Sequence, residues 1–277
     1  MRFASCAQGG RRFAALVDGE VVRPLAGIAE LGRDTPSSVL ADPPVSGERF
    51  PLGEVTLLPV VPRPGKIVCM GLNYRAHVDE GVYEVPEYPV LFSKFAETLV
   101  AAGEPIVLPP ESTAVDYEAE LAFVVGQRVR RARASEALEA VAGYTVANDV
   151  TMRDYQYRTH QWLQGKNWAQ STPLGPFLVT SDEVGDPHAL DISLELNDER
   201  LQFANTRQLI FDIPTIIATI SEFVALVPGD VVLTGTPSGV GFRRDPKMLL
   251  RDGDRIVIEI ERVGRLENPV VAERPAG

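Results

Sequence analysis

The stretch Val115–Gly126, VDYEAELAFVVG, reads as a buried β-strand with two carboxylates, Glu118 and Glu120, set into it. Side chains alternate across a strand. Tyr117, Ala119, Leu121, Phe123 and Val125 therefore take one face, and Glu118, Glu120, Ala122 and Val124 take the other. The two glutamates become neighbours, roughly 6–7 Å apart along the strand. Like charges at that spacing repel unless water or a cation relieves them. Ala122 and Val124 continue the same face, which argues against a simply solvated one. On the Glu-x-Glu pair alone, an exposed strand end stays open as the plainer explanation.

A third acid, Asp149, closes the apolar segment YTVAND, where a carboxylate can point into a cleft. Taken alone, it reads equally as an Asx-turn or a helix cap. Three carboxylates, with water completing the shell, form a hard-cation site that suits Mg²⁺. Zinc is a poor match, because no His or Cys lies near these acids in sequence.

Around this centre the chain is strand-rich. FAALV and EVVRPL flank Asp18-Gly19, a hairpin signal. GIAELGRD is expected to be a short helix, and residues 33–65 are loop-like and rich in proline. KIVCMGLNY is expected to run from strand into loop, followed by a polar loop over residues 77–90. SEALEAVA is expected to be a short helix, capped by Ser135 and ended before Gly143. ISLELN and RLQFAN form a second hairpin candidate around Asn197–Glu199. DIPTIIATISEFVALVPGD is the strongest helix, with Ile216, Ile217, Ile220, Phe223 and Val224 on one face and Pro228-Gly229 as its stop. RIVIEIERVGRLENPVV reads as two strands with a turn at Gly264. Strands that do not alternate regularly with helices favour an α+β, mostly-β architecture over a doubly wound sheet.

The 277 residues, 45% hydrophobic and 23% charged, suffice for a sizeable core. The expected division is a small N-terminal domain over 1–62 and a larger one over 63–277. A net charge of −11 argues against a nucleic-acid or anionic-membrane surface. No apolar run approaches the ~20 residues that span a bilayer. The first residues lack the apolar core of a secretory signal, and Cys6 and Cys69 make no disulfide framework, so a reducing cytoplasm is expected. TGTPSGVG lacks the Gly-Lys-Ser/Thr ending of a phosphate loop, which excludes a nucleotide reading.

Taken in order, KIVCMGLNYRAHVDE, FSKF, DYEAELAFVVG, GYTVANDVTMRDYQ, GKNWAQSTPLGP and LVPGDVVLTGTPSGVGF resemble the fumarylacetoacetate hydrolase family over about Lys66–Val271. Residues 1–60 resemble, more weakly, the small N-terminal domain of its bacterial members. The resemblance implies a β-rich rolled-sheet fold in a homodimer. It implies a divalent cation, Mg²⁺ before Mn²⁺ or Ca²⁺, on Glu118, Glu120 and Asp149. It also implies a water-activating pair, His77 and Glu80, and an active-site Lys166. Lys94, Arg153, Gln156 and Thr236 would contact or support substrate. The substrate would be a small anionic keto acid, with neither nucleic acid nor membrane as partner. Hydrolysis of a C–C bond in an acylpyruvate-type acid is expected, with oxaloacetate decarboxylation or 2-hydroxymuconate-type isomerisation as alternatives on the same site. A non-catalytic cation-binding protein is the rival of another class. His160 and His188 are read as ordinary. Leu72 stands where many relatives carry arginine, which bears on substrate preference.

Overall fold

The computed structural model describes residues 1–81 and 84–274. Its larger sheet, of 12 strands, begins with β1 (Arg2–Gln8), β2 (Arg11–Asp18) and β3 (Val21–Pro24). It continues through β4 (Ile67–Gly71), β5 (Val90–Lys94), β6 (Ala119–Val125), β7 (Val141–Asn148) and β8 (Thr172–Thr180). A second sheet, of five strands, takes β9 (Asp191–Leu196) and β10 (Glu199–Asn205). The chain returns to the larger sheet as β11 (Val231–Leu233) and finishes the second with β12 (Arg255–Ile260) and β13 (Gly264–Ala272). Leaving aside three two-residue strands, the order in the larger sheet is β3-β2-β1-β8-β7-β6-β11-β4-β5. The pairs along it are antiparallel except for β11 with β4. The α+β, mostly-β expectation holds.

β6 lies in the middle of this order, and both its faces are buried. Leu121, Phe123 and Val125 join a core with Ile192, Leu194, Ile256 and Ile258 of the second sheet. Ala122 and Val124 pack into a separate core with Phe3, Leu25, Leu40 and Leu233. Each large apolar side chain so buried contributes roughly 1.5–3 kcal/mol. That anchorage lets the same strand carry costly carboxylates into the interior.

The strand is shorter than its sequence pattern. Val115–Asp116 pairs with Thr151–Met152 instead, and Tyr117 and Glu118 fall between the two pairings. Glu118 thus precedes β6, and Glu120 lies inside it. The hairpin after β2 turns through Gly19 and Glu20, with Asp18 already paired to Val21, so the turn is shifted one residue from Asp18-Gly19. The second hairpin turns at Asn197 and Asp198, both with positive φ (51° and 68°), the geometry a two-residue loop between twisted strands requires.

The helices depart further from expectation. GIAELGRD forms no helix; Gly27 and Gly32 break it at positive φ, and α1 (Ser37–Ala41) comes later. The 77–90 segment begins with helix, α2 (Arg75–Gly81), and residues 82 and 83 of the expected lid lie outside the described residues. Residues Ala134–Ala140 are a 3-10 helix capped at Arg133 rather than Ser135, and Gly143 lies within β7. α3 (Arg153–Gln156) and α4 (Leu163–Lys166) are single turns. α5 (Ile213–Phe223) is the strong helix. The Asp212 side chain accepts from Thr215 N at 2.8 Å, and Ile216, Ile217 and Ile220 are buried. Phe223 is 64% exposed and Val224 caps the end, so the apolar face stops at Ile220. The last turn occupies residues 261–263, ahead of Gly264. Among the described residues no helix is long and apolar enough to cross a membrane. Both cysteines are free and buried.

Candidate active site

Strand register assembles the three acids. Ala119 of β6 pairs with Asn148 of β7, so Glu118 lies opposite Asp149, whose N–H donates to the Glu118 carbonyl at 2.9 Å. Directly opposed residues of an antiparallel pair share a face. Glu120, two residues along from Glu118, shares it too. One oxygen from each of Glu118, Glu120 and Asp149 lies within 4.8 Å of the others, and all three residues are buried.

Two lysines face this cluster. The Lys166 ammonium, at the end of α4, donates to Glu118 Oε2 and Asp149 Oδ2, both at 2.7 Å. Lys94, at the end of β5, donates to Asp149 Oδ1 at 2.7 Å and to the carbonyls of Lys166 (2.5 Å) and Val150 (3.4 Å). Its donors are spent behind the acids, and it does not line the cavity described below. Lys94 therefore braces the acids from outside the cavity lining. Arg153 of α3 pairs through Nε with Asp116 at 2.8 Å and through Nη2 with Glu118 at 2.7 Å. Its Nη1 donates to Gln156 Oε1 at 2.9 Å.

The charge balance singles out one acid. Three carboxylates face two ammonium groups, since Arg153 is matched by Asp116. Burial pushes the Glu118 carboxyl up, but Lys166, Arg153 and His77 outweigh it and hold it at about 2. Glu120 is raised well above the carboxylate range, by burial first and then by Asp149 and Glu118; Lys166 and the Gly235 N–H offset this only in part. Glu120 is thus the acid whose ionised form finds no compensating charge, so its carboxyl favours the protonated form, and a bound cation would take that proton's place. Burial alone would lower Lys166, yet Asp149 and Glu118 raise it above the ordinary lysine range. An all-oxygen cluster with surplus negative charge fits a hard divalent cation. Glu118, Glu120 and Asp149 would hold it.

A cavity opens beside the cluster, lined by His77, Glu118, Arg153, Gln156, Lys166 and Thr236 and walled by Met70, Leu72, Phe92, Trp162 and Val240. About 30 Å³ of it is free, room for about two waters. Gly71 lets the Trp162 ring approach, since a Cβ there would lie 2.3 Å from it. Leu72 holds a left-handed φ of 54°. On α2, His77 Nδ1 lies 3.6 Å from Glu80 Oε2, an ion-pair separation one helical turn apart. Gly239 N donates to both Glu80 oxygens at 3.1 Å, tying α2 to the glycine-rich loop after β11. That loop passes the acids as well, for Gly235 N donates to Glu120 Oε2 at 2.6 Å. His188 is structural: its Nε2 accepts from Ile213 N at the start of α5.

Three buried residues given no role in the sequence reading organise the site. Asp116 accepts from Arg153 Nε, Gly241 N and Phe242 N. Asn148 Oδ1 accepts from Glu118 N at 3.0 Å, replacing the ladder bond lost where the strand breaks. Gln202 joins Ala119 to Thr236 and Pro237.

The family model described as fumarylacetoacetate (FAA) hydrolase C-terminal matches residues 66–271. The chain belongs to the fumarylacetoacetate hydrolase family. A second model, Rv2993c-like, N-terminal, matches residues 1–59. Human oxaloacetate tautomerase FAHD2A, mitochondrial, is 48% identical over 224 residues, covering 80% of this chain and 71% of that protein. The crystal structure of 2-hydroxyhepta-2,4-diene-1,7-dioate isomerase from Mycobacterium marinum is 34% identical, covers 99% of each chain and has a TM-score of 0.84. Maleylpyruvate hydrolase from Sphingobium sp. SYK-6 is 31% identical, with 99% of this chain and all of that one covered and a TM-score of 0.79. The family's members named here are enzymes, and their names span tautomerase, isomerase and hydrolase. Membership therefore does not select hydrolysis.

Proposed function

We propose that the protein is a divalent-cation-dependent enzyme of enolate chemistry on short 2-oxo acids, with the keto–enol tautomerisation of oxaloacetate as its reaction. One observation carries this reading: His77, paired with Glu80, lines the same cavity as Glu118 of the Glu118–Glu120–Asp149 cluster. The likeness to human oxaloacetate tautomerase supports the choice within the family.

A divalent cation on the three acids, Mg²⁺ by its ligand chemistry, would polarise the 2-oxo group and acidify C3. The chain's own groups do the rest. Thr236 offers a hydroxyl to the substrate carboxylate. Lys166 presents an ammonium that favours negative charge on the 2-oxo oxygen. In converting enol to keto form, the O2 hydroxyl gives its proton to solvent and C3 receives one from His77, which solvent then reprotonates. His77, backed by Glu80, delivers and removes the proton at C3. Met70, Phe92 and Trp162 exclude bulk water around it.

Cleavage of an acylpyruvate is the second reading, favoured by the same pair, since a water beside His77 is what a hydrolase needs. Incubation with Mg²⁺ and oxaloacetate, acetylpyruvate or fumarylpyruvate, each with a chelated control, tests both. Accelerated, chelator-sensitive loss of the enol ultraviolet absorbance of oxaloacetate, with oxaloacetate conserved, is the expected result. Pyruvate plus the matching carboxylic acid from the acylpyruvates moves the assignment to hydrolase. Pyruvate and CO₂ from oxaloacetate would make it a decarboxylase.

A further inference from the structure

Gln202 lies on β10 in the second sheet, 1% exposed, and reaches across to the first. Its Oε1 accepts from Ala119 N at 2.9 Å. Its Nε2 donates to Thr236 Oγ1 and to the Pro237 carbonyl, both at 2.9 Å. The amide has one orientation only. Reversed, its oxygen would face the Pro237 carbonyl and its NH₂ would face the Ala119 N–H. Both Nε2 protons are therefore committed, and Thr236 Oγ1 is an acceptor toward Gln202.

A hydroxyl has a single proton. With Gln202 occupying a lone pair of Oγ1, that proton must point elsewhere. Among the described residues it meets no acceptor, and Thr236 lines the cavity. Ala119 sits between Glu118 and Glu120, so the same carboxamide links the acids to the loop that carries the hydroxyl.

We propose that Gln202 is a positioning residue that fixes the Thr236 hydroxyl as a hydrogen-bond donor into the cavity, aimed at a carboxylate oxygen of the 2-oxo acid. This rests on the cavity being the 2-oxo-acid site. Gln202 touches no substrate; it acts through Thr236. A residue that only braced the fold would not set the direction of one proton.

Pyruvate binding at saturating Mg²⁺, measured by calorimetry, tests this in a cycle of wild type, Gln202→Leu, Thr236→Val and the double variant. Thermal melts confirm that each is folded. A hydrogen bond to an anion implies that each single change weakens pyruvate by about tenfold or more. The double variant is expected to be no weaker than the weaker single, because both remove the same bond. Losses that multiply would overturn the proposal by making Gln202 independent of the hydroxyl, and so would an unchanged affinity in Gln202→Leu. Wild type that fails to bind pyruvate overturns the site reading and the proposal with it. If Gln202→Leu does not fold, Gln202→Glu replaces it. That carboxylate keeps the Ala119 contact but accepts from Thr236, drawing the proton out of the cavity, and unchanged pyruvate affinity there refutes the role.

Discussion

At the residue scale, Glu120 and Lys166 occupy opposite sides of one charge balance. Glu120 has no compensating cation and favours its protonated form, while Lys166 compensates Glu118 and Asp149. With chelator present, Glu120→Gln should leave stability unchanged or raise it, because the amide oxygen can still accept from Gly235. Lys166→Met should cost about 3–5 kcal/mol, the cost of leaving buried charges unpaired. Mg²⁺ should then stabilise wild type by mass action and leave Glu120→Gln unaffected; denaturant melts with and without Mg²⁺ read both. Glu118 is lowered relative to the unfolded chain. Its stabilisation is present above the ordinary carboxylate value of 4.5 and is lost as pH falls toward about 2. The like-charged pair was legible in the sequence because strand alternation is a local rule. Gln202 was not, because it lies 83 residues from Ala119 and only the packing of two sheets brings them together. The partners of Lys94 were not legible for a related reason: its position between aromatics gave no sign that Asp149 and two carbonyls would use its donors.

At the element scale, the register of β6 against β7 is the device that builds the acid cluster, and the loop after β11 completes it. Gly235 holds a φ of +100°, and a Cβ there would lie 2.8 Å from Asn73 Cβ. Gly235→Ala should therefore shift the loop, destabilise the fold by more than about 1 kcal/mol and weaken Mg²⁺ binding through the lost Glu120 contact. A thermal melt paired with a Mg²⁺ titration would show it, and wild-type values in both would contradict the role given to the loop. Elements with strong periodicity, such as α5 and the hairpin at Asn197–Asp198, were readable. GIAELGRD was not, because two glycines at positive φ interrupt a helical composition. The end of α5 was misjudged because periodicity continued through Phe223 while burial stopped at Ile220.

At the scale of the whole molecule, the N-terminal strands are continuous with the sheet that carries the site. β1 pairs with β8, Phe3 opposite Leu178, and Phe3 shares a core with Ala122 and Val124 of β6. A chain truncated before residue 63 would bare the β8 edge and open that core, so it should aggregate; a monodisperse, Mg²⁺-binding 63–277 fragment would show that the larger region stands alone. The run of prolines suggested a boundary near residues 62–65, but it gave no sign of the strand pairing that crosses there, because pairing partners leave no local mark. In the proposed reaction, Glu118, Glu120 and Asp149 hold the cation. Titration of the metal-free protein with Mn²⁺, followed by electron paramagnetic resonance in wild type and in Glu118→Ala, tests it most directly. One bound Mn²⁺ per chain is expected in wild type and none in a folded Glu118→Ala. Undiminished Mn²⁺ binding in that variant would contradict it.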